Sequence, residues 1–299
     1  MMGKYYTDYS EFLAGYFPGK VQKLSIDANL GCPNRDGTIG RGGCIYCNNQ
    51  AFSPQWEKKG LSVAAQIQKG KNFFARKYPT MKYLAYFQSY TGTHGNLSYL
   101  MSLYEEAMRQ EDVVGLIIGT RPDCCPDSLL EELNSLKTRF KREIFLEFGA
   151  ESSHNITLTA INRCHTWEST VDASLRASEA GFPVGHHYIL GLPGENTAMM
   201  LQTVERASIL PISTIKFHQL QVLRGTTLER LVAENKIVLP EFTPESYANL
   251  CARIVKLLPR AIAIERFVAQ APKEMLISPC WGLKNYQFIS ILEKILATS

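Results

Sequence analysis

Cys32-Pro33-Asn34-Arg35-Asp36-Gly37-Thr38-Ile39-Gly40-Arg41-Gly42-Gly43-Cys44-Ile45-Tyr46-Cys47 is the stretch around which the chain is organised. Eleven residues separate its first two thiols and two separate its last two. No fourth Cys and no His falls inside it; the next of each are Cys124 and His94. A closed zinc site takes four protein ligands. Three thiolates suit a four-iron cluster that leaves one iron open to a ligand other than protein. Gly31, Gly37, Gly40, Gly42 and Gly43 let the backbone fold tightly around such a core. A zinc site completed by a distant His or Asp is the alternative on the residues alone.

Outward from this loop the chain alternates strand and helix. Lys20–Asn29 reads as a first strand feeding the cysteine loop. Leu61–Lys77 has helical spacing, with Val63, Ile67, Phe73 and Phe74 expected on one face. Strands are expected at 82–90, 113–119, 143–150, 184–192 and 214–222, with helices at 97–109, 126–139, 169–180 and 197–210 between them. Six strand–helix units argue for parallel strands with outer helices, and are too few for a closed eight-stranded barrel. The expected fold is α/β: an open, partial (β/α)6 TIM-like barrel over residues 1–240. A short α/β extension over 241–299 packs on it, with a helix at 244–257, a strand near 262–268 and a last helix near 285–297.

The composition is that of an ordinary globule, 45% hydrophobic and 20% charged over 299 residues. No run of eighteen apolar residues and no apolar leader is present, which predicts a cytoplasmic protein with no membrane partner. Eight cysteines then read as metal ligands and buried thiols, not as a disulfide framework. The net charge of +4 is unevenly spread, since residues 1–82 hold twelve Lys or Arg against five Asp or Glu. Lys58, Lys59, Lys69, Lys71, Arg76, Lys77 and Lys82 form a stretch without an acid. Such a surface favours a polyanion or is simply a solvated face.

In parallel barrels the reactive groups gather at the C-terminal strand ends. Gln88-Ser89-Tyr90, Arg121-Pro122-Asp123, Glu147 through Glu151, Gly191-Leu192-Pro193-Gly194 and His218-Gln219-Leu220-Gln221 all fall there. His186 and His187 read as core or wall residues. Cys124 and Cys125 read as buried thiols, since adjacent cysteines seldom both reach one cluster.

The stretches CPNRDGTIGRGGCIYCN, YFQSYT, VVGLIIGTRPDC, INRCHT, ILGLPGE and KFHQLQVLRGT together resemble the radical S-adenosylmethionine (SAM) superfamily. Within it the chain is similar to the YhcC/YtqA (MnmL)-like branch, itself similar to the catalytic subunit of Elongator. The resemblance implies that Cys32, Cys44 and Cys47 bind three irons of a 4Fe-4S cluster. S-adenosylmethionine would chelate the fourth and be cleaved reductively to a 5′-deoxyadenosyl radical. It places Tyr46 near the adenine, Gln88 and Ser89 at the methionine amino group, and Arg163 on its carboxylate. Glu147 and Glu151 would meet ribose hydroxyls or the amino group. Gly191, Pro193 and Gly194 would let backbone approach the adenine, and Gln219 would complete the wall. Arg121 and Asp123 would pair with each other or reach the cofactor.

The substrate implied is wobble uridine in tRNA, with a carboxymethylaminomethyl group remodelled toward aminomethyl. Electrons would come from a donor such as flavodoxin or ferredoxin. A small-molecule substrate, or a zinc-stapled RNA-binding protein without turnover, are the other readings. Three departures from the family pattern stand out. Phe148-Gly149-Ala150-Glu151 replaces Leu-Gly-Leu-Gln. Asn162-Arg163-Cys164-His165 replaces Asn-Arg-Gly-His. Arg266–Lys273 replaces a Gly-Asp-Gly stretch bordering the substrate.

Overall fold

The structure is a computed structural model that describes residues 5–298 except 53, 55, 58, 59 and 76–79, and only the backbone of 50 and 52. Lys58, Lys59, Arg76 and Lys77 of the basic stretch therefore lie outside the described residues.

A short helix α1 (Tyr9–Ala14) precedes β1 (Val21–Ile26), and α2 (Pro33–Asp36) lies inside the cysteine loop. Then follow α3 (Val63–Ala75), β2 (Lys82–Phe87), α4 (Leu97–Met108), β3 (Val113–Thr120), α5 (Asp127–Phe140) and β4 (Glu143–Glu151). After α6 (Asn155–Ala160) come α7 (Trp167–Glu179), β5 (Val184–Leu190), α8 (Thr197–Ser208), β6 (Thr214–Gln219), β7 (Val222–Leu223) and α9 (Thr227–Ala233). The chain ends with α10 (Pro244–Leu257), β8 (Ala263–Arg266), β9 (Leu276–Ser278) and α11 (Asn285–Thr298). The order in the main sheet is β1-β2-β3-β4-β5-β6-β8, and every neighbouring pair is parallel. The sheet curls into a half-barrel. The six expected strands are joined by a seventh, β8, from the C-terminal stretch. β7 and β9 form a separate antiparallel pair.

Strand alternation sets three layers. Leu24, Ile26, Ala85, Phe87, Leu116, Ile118, Leu146, Phe148, Ile215 and Phe217 face the helices and make the main core. At the N-terminal end of the barrel interior, Leu84, Tyr86, Ile117 and Phe145 pack on Leu13 and Phe17, with Phe12 alongside. Helix α1 and the residues after it therefore plug the barrel bottom. Ile45 packs with Leu158, Ile161, Leu192, Leu220 and Leu228 at the opposite end. Helix α3 buries Val63 and Ile67, but Phe73 is 58% exposed. The buried positions, 63, 66, 67 and 70, all fall in the first eight residues of the helix, and Phe73 comes in its last turn beyond them. Phe73 stacks instead on Trp56, with ring centroids 5.1 Å apart. Lys71 and Lys82 of the basic stretch pair with Asp112 at 2.7 and 2.8 Å, so part of its charge is neutralised locally.

Candidate active site

The cysteine loop is held by its own backbone. Cys32 caps α2, Pro33 fills the first helical turn, and Gly37 ends it with φ 94° in the left-handed region. The carbonyl of Cys32 accepts from the Arg35 and Asp36 amides at 2.8 and 3.1 Å. The Ile45 amide donates to the Ile161 carbonyl at 3.1 Å, and the Leu228 amide donates to the Ile45 carbonyl at 2.8 Å. Ile45, between the second and third thiols, thus ties the loop to the end of α6 and the start of α9. Cys32, Cys44 and Cys47 all line one cavity of about 220 Å³ at the C-terminal ends of the strands. Arg163 Nη1 lies 3.6 Å and Asn34 Nδ2 3.7 Å from Cys44 Sγ, so N–H donors already face that sulfur. Among the described residues no three His, Cys, Asp or Glu side chains converge as a single metal ion requires.

Tyr46, Gln88, Arg121, Glu147, Glu151, Arg163 and Gln219 line the same cavity. Arg163 is fixed from four sides: Nε donates to His165 Nε2 at 2.9 Å, Nη2 to the Gly149 carbonyl at 2.5 Å, Nη2 faces Glu151 at 3.4 Å, and Nη1 faces Cys44. A Cβ on Gly149 would stand 2.7 Å from Arg163 Nη2, so this close approach needs glycine. Arg121 makes a two-pronged pair with Asp123 at 2.9 and 2.7 Å and donates to the Arg163 carbonyl at 2.8 Å. The two residues pair with each other, and Arg121 positions Arg163.

Five candidates stand off the cavity wall. The Ser89 hydroxyl is buried on the Glu57 carboxylate, whose pKa burial pushes up to about 7. Asp123 is taken up by Arg121. Gly191, with φ 90°, abuts Phe242, and Pro193 and Gly194 follow it in the same turn. Gln219 lines the wall but its amide is saturated by the Ala269 backbone, donating at 2.9 Å and accepting at 2.7 Å. It fastens the segment after β8 to β6.

Below this layer lies an ion cluster that sequence reasoning missed apart from Glu147. Lys23 Nζ sits 2.6 Å from both Glu147 Oε1 and Glu265 Oε2. Lys216 Nζ sits 3.2 Å from Glu147 Oε2 and 3.0 Å from Glu265 Oε1. His187 Nε2 lies 2.8 Å from Glu147 Oε2, and Tyr86 OH lies 3.4 Å from Lys216 Nζ. Both Glu147 oxygens are thus held by protein. Burial alone would raise the Glu147 pKa, but Lys216, Lys23 and His187 hold it well below the carboxylate range. Burial lowers the Lys216 pKa despite its two carboxylates, whereas Lys23 is raised by the same two. A register shift at Glu265 in the β6–β8 pairing lets Glu265 and Arg266 both turn inward. The available signal was a lysine inside each of two strands: Lys23 in VQKLSI and Lys216 in TIKFHQ.

The remaining thiols and histidines separate cleanly. Cys125 and Cys251 are buried, and burial pushes the Cys124 and Cys125 thiols up to about 12. Neither Cys124 nor Cys125 lines the cavity. His186 is a core residue bonded to Ser174 Oγ at 2.7 Å and Tyr188 OH at 2.9 Å. His187 and His218 line the cavity.

Family comparisons agree with this geometry. Residues 31–207 match the Radical SAM superfamily model, and residues 212–297 match the Radical_SAM C-terminal domain. Protein YhcC of Escherichia coli K12 is 36% identical over 93% of this chain and 87% of its own length. YtqA of Bacillus subtilis, uncharacterised, is 31% identical over 98% and 90%. A tRNA uridine(34) acetyltransferase of Dehalococcoides mccartyi is 26% identical over 64% of this chain and 40% of its own length. Among solved structures, archaeal Elp3 of Methanocaldococcus infernus superposes with a TM-score of 0.67 at 16% identity, over 94% of this chain and 64% of that one, which shows a shared fold. Membership implies a 4Fe-4S cluster and S-adenosylmethionine as cofactors. No described helix is long and apolar enough to cross a membrane. With a half-barrel of parallel strands, a cavity at their C-terminal ends and a superfamily match over more than half its length, the chain belongs to the radical SAM superfamily and is a radical SAM enzyme.

Proposed function

We propose that Cys32, Cys44 and Cys47 hold the cluster and that the enzyme modifies the wobble uridine of tRNA, taking a carboxymethylaminomethyl group toward aminomethyl. The observation that carries the first part is the meeting of all three thiols with Tyr46, Gln88, Glu151 and Arg163 in one cavity. Donor chemistry and space fit the group: three thiols, an open side, and N–H groups aimed at Cys44. When bound, the cluster and S-adenosylmethionine supply reductive cleavage of the sulfonium bond.

The chain's own residues orient and shield. Arg163 is the cation for the methionine carboxylate, its guanidinium pre-aimed by Gly149 and His165. Gln88, which accepts from Ser25 Oγ at 3.1 Å, keeps its amide nitrogen free for a polar group of the cofactor. Tyr46 walls the adenine side, and the segment fastened by Gln219 excludes water from the other. An electron donor such as flavodoxin or ferredoxin supplies the electron.

The tRNA reading is supported by likeness to the protein named a tRNA uridine(34) acetyltransferase. A wobble base sits in a single-stranded loop, where it can be turned out of its stack into a barrel mouth. The experiment is a nucleoside mass profile of tRNA from cells with and without this protein. Loss of one modified wobble uridine with build-up of its carboxymethylaminomethyl precursor is the expected result. Matching profiles across growth conditions would remove the tRNA assignment.

A further inference from the structure

At the cavity floor three cations, Lys23, Lys216 and Arg266, accompany two carboxylates, Glu147 and Glu265. His187 and His218 add no charge: burial, helped by Lys216 and Arg266 respectively, pushes both below the ordinary histidine range. The group is therefore one negative charge short. Arg266 is partly buried and has no counter-ion, so an anion bound beside it would gain a charge-assisted bond that the protein itself does not supply.

The unmatched cation is identifiable. Arg121 faces Asp123, Arg163 faces Glu151 and Arg35, at the cysteine end, donates to the Cys47 carbonyl at 2.9 Å, but at the charged end, among the described residues, no carboxylate lies within 4.0 Å of the Arg266 guanidinium. Its Nη2 is directed at the His218 ring, 2.9 Å from Nε2 and 3.2 Å from Nδ1. Its Nε is buried with no hydrogen-bond partner. On the same cavity, Gln221 Nε2 donates to the Ala269 carbonyl at 3.2 Å while Oε1 is buried and unpartnered. A buried unmade hydrogen bond costs about 1–3 kcal/mol. Here one unmade donor on a cation and one unmade acceptor share a cavity, which is the complement of an anion beside an N–H.

We propose that Arg266 binds a carboxylate of the substrate while Gln221 Oε1 accepts from an adjacent amine N–H, so that the cavity selects a glycine-like end group. The carboxylate supplies the counter-charge that Arg266 lacks, and the neighbouring amine, an ammonium near neutral pH, supplies the donor that Gln221 Oε1 lacks. The proposal deepens the tRNA reading, because a carboxymethylaminomethyl side chain ends in that group, but the site recognises the group on any carrier.

Two arms test it on the cluster-loaded enzyme with S-adenosylmethionine. The first compares the melting temperature in N-methylglycine and in N-methylglycinamide at equal ionic strength. Wild type is expected to melt higher with the carboxylate, by binding to the folded state alone. Arg266→Gln is expected to lose that difference and Arg266→Lys, which keeps the charge, to retain part of it. Equal melting of wild type in the two compounds, or discrimination persisting in Arg266→Gln, overturns the proposal. The second arm offers tRNA whose wobble side chain ends in a carboxylate or in its amide. Wild type is expected to favour the carboxylate at least about tenfold. Turnover without that preference overturns the carboxylate site and leaves the tRNA reading standing. Discrimination between the small compounds with no turnover of either tRNA supports the site and ends the tRNA reading.

Discussion

The two ends of the cavity are built in opposite ways. The cysteine end comes from sixteen consecutive residues, held by turns, glycines and backbone hydrogen bonds. The charged end comes from side chains dispersed along the chain, Lys23 on β1, Tyr86 on β2, Glu147 on β4, His187 on β5, Lys216 on β6 and Glu265 with Arg266 on β8. The first presents thiols that satisfy little among themselves and await an inorganic core. The second satisfies itself, apart from Arg266. One end should therefore matter to chemistry and little to folding, the other to both.

The largest expected effect breaks the cysteine end. Cys44→Ala should abolish cluster assembly, read as iron and acid-labile sulfide, and with it 5′-deoxyadenosine formation. The far-ultraviolet circular dichroism should be unchanged. Normal iron content in that variant would mean that the loop is not the ligand set. Next comes the charged end. Glu147→Ala leaves Lys23, Lys216 and His187 around an apolar methyl. Removing one partner of a buried pair costs about 3–5 kcal/mol. A urea titration of the variant should show that loss; a change below about 1 kcal/mol would mean that water solvates the cluster.

This contrast also explains what was legible in the sequence. The cysteine loop is contiguous, so its spacing could be read directly. The six strands were legible from segments such as Val113–Thr120, a long apolar run, and Glu143–Glu151, apolar between its three glutamates, set between helical periods. β8 was expected as a strand near 262–268, but with four residues, two of them charged, it carried no sign of joining the main sheet. Its place in the sheet depends on pairing with β6, a contact between residues some fifty apart. Helix α1 is six residues long and earns its role as plug only by meeting Phe145 and Tyr86. Helix α2 did carry a local signal, proline just inside its start and glycine just past its end, within the cysteine stretch itself. The ion cluster had no contiguous signal, because each strand contributes a side chain or two and only closure of the sheet brings them together.

A third prediction sharpens the comparison by contrasting a charged wall with a neutral core. His186 lies one residue from His187 on β5 but faces the other side of the sheet, and burial lowers its pKa to about 3. A base whose folded pKa is depressed adds stability that is present above its unfolded pKa and is lost as pH falls toward the folded one. Between pH of about 6.5 and about 3, each unit of acidification should therefore cost up to about 1.4 kcal/mol from this residue. His186→Gln removes the titration. Its urea midpoint should fall less steeply with acid than that of wild type, and parallel curves would contradict a buried neutral imidazole.

The smallest effect belongs to the cysteine end, at Cys164, where the resemblance leads one to expect glycine. That residue has φ 60°, in the region that disfavours a side chain, and it follows Asn162 at φ 54°. Glycine at this position would adopt the same backbone without strain. The thiol lies beside Gly40 of the cysteine loop, where any side chain in place of that glycine would meet it, a Cβ standing 2.9 Å from Sγ. Against this, Sγ makes only long contacts, 3.4 Å to Asn162 Oδ1 and 3.8 Å to its carbonyl, and it is exposed. Cys164→Gly should thus stabilise the folded protein by about 1 kcal/mol, less a few tenths for the greater freedom of glycine when unfolded. A rise of a few degrees in the melting temperature, with iron content unchanged, is the expected result. A fall would mean that the thiol contributes to the loop beyond its weak hydrogen bonds, and a loss of iron would move Cys164 into the ligand set.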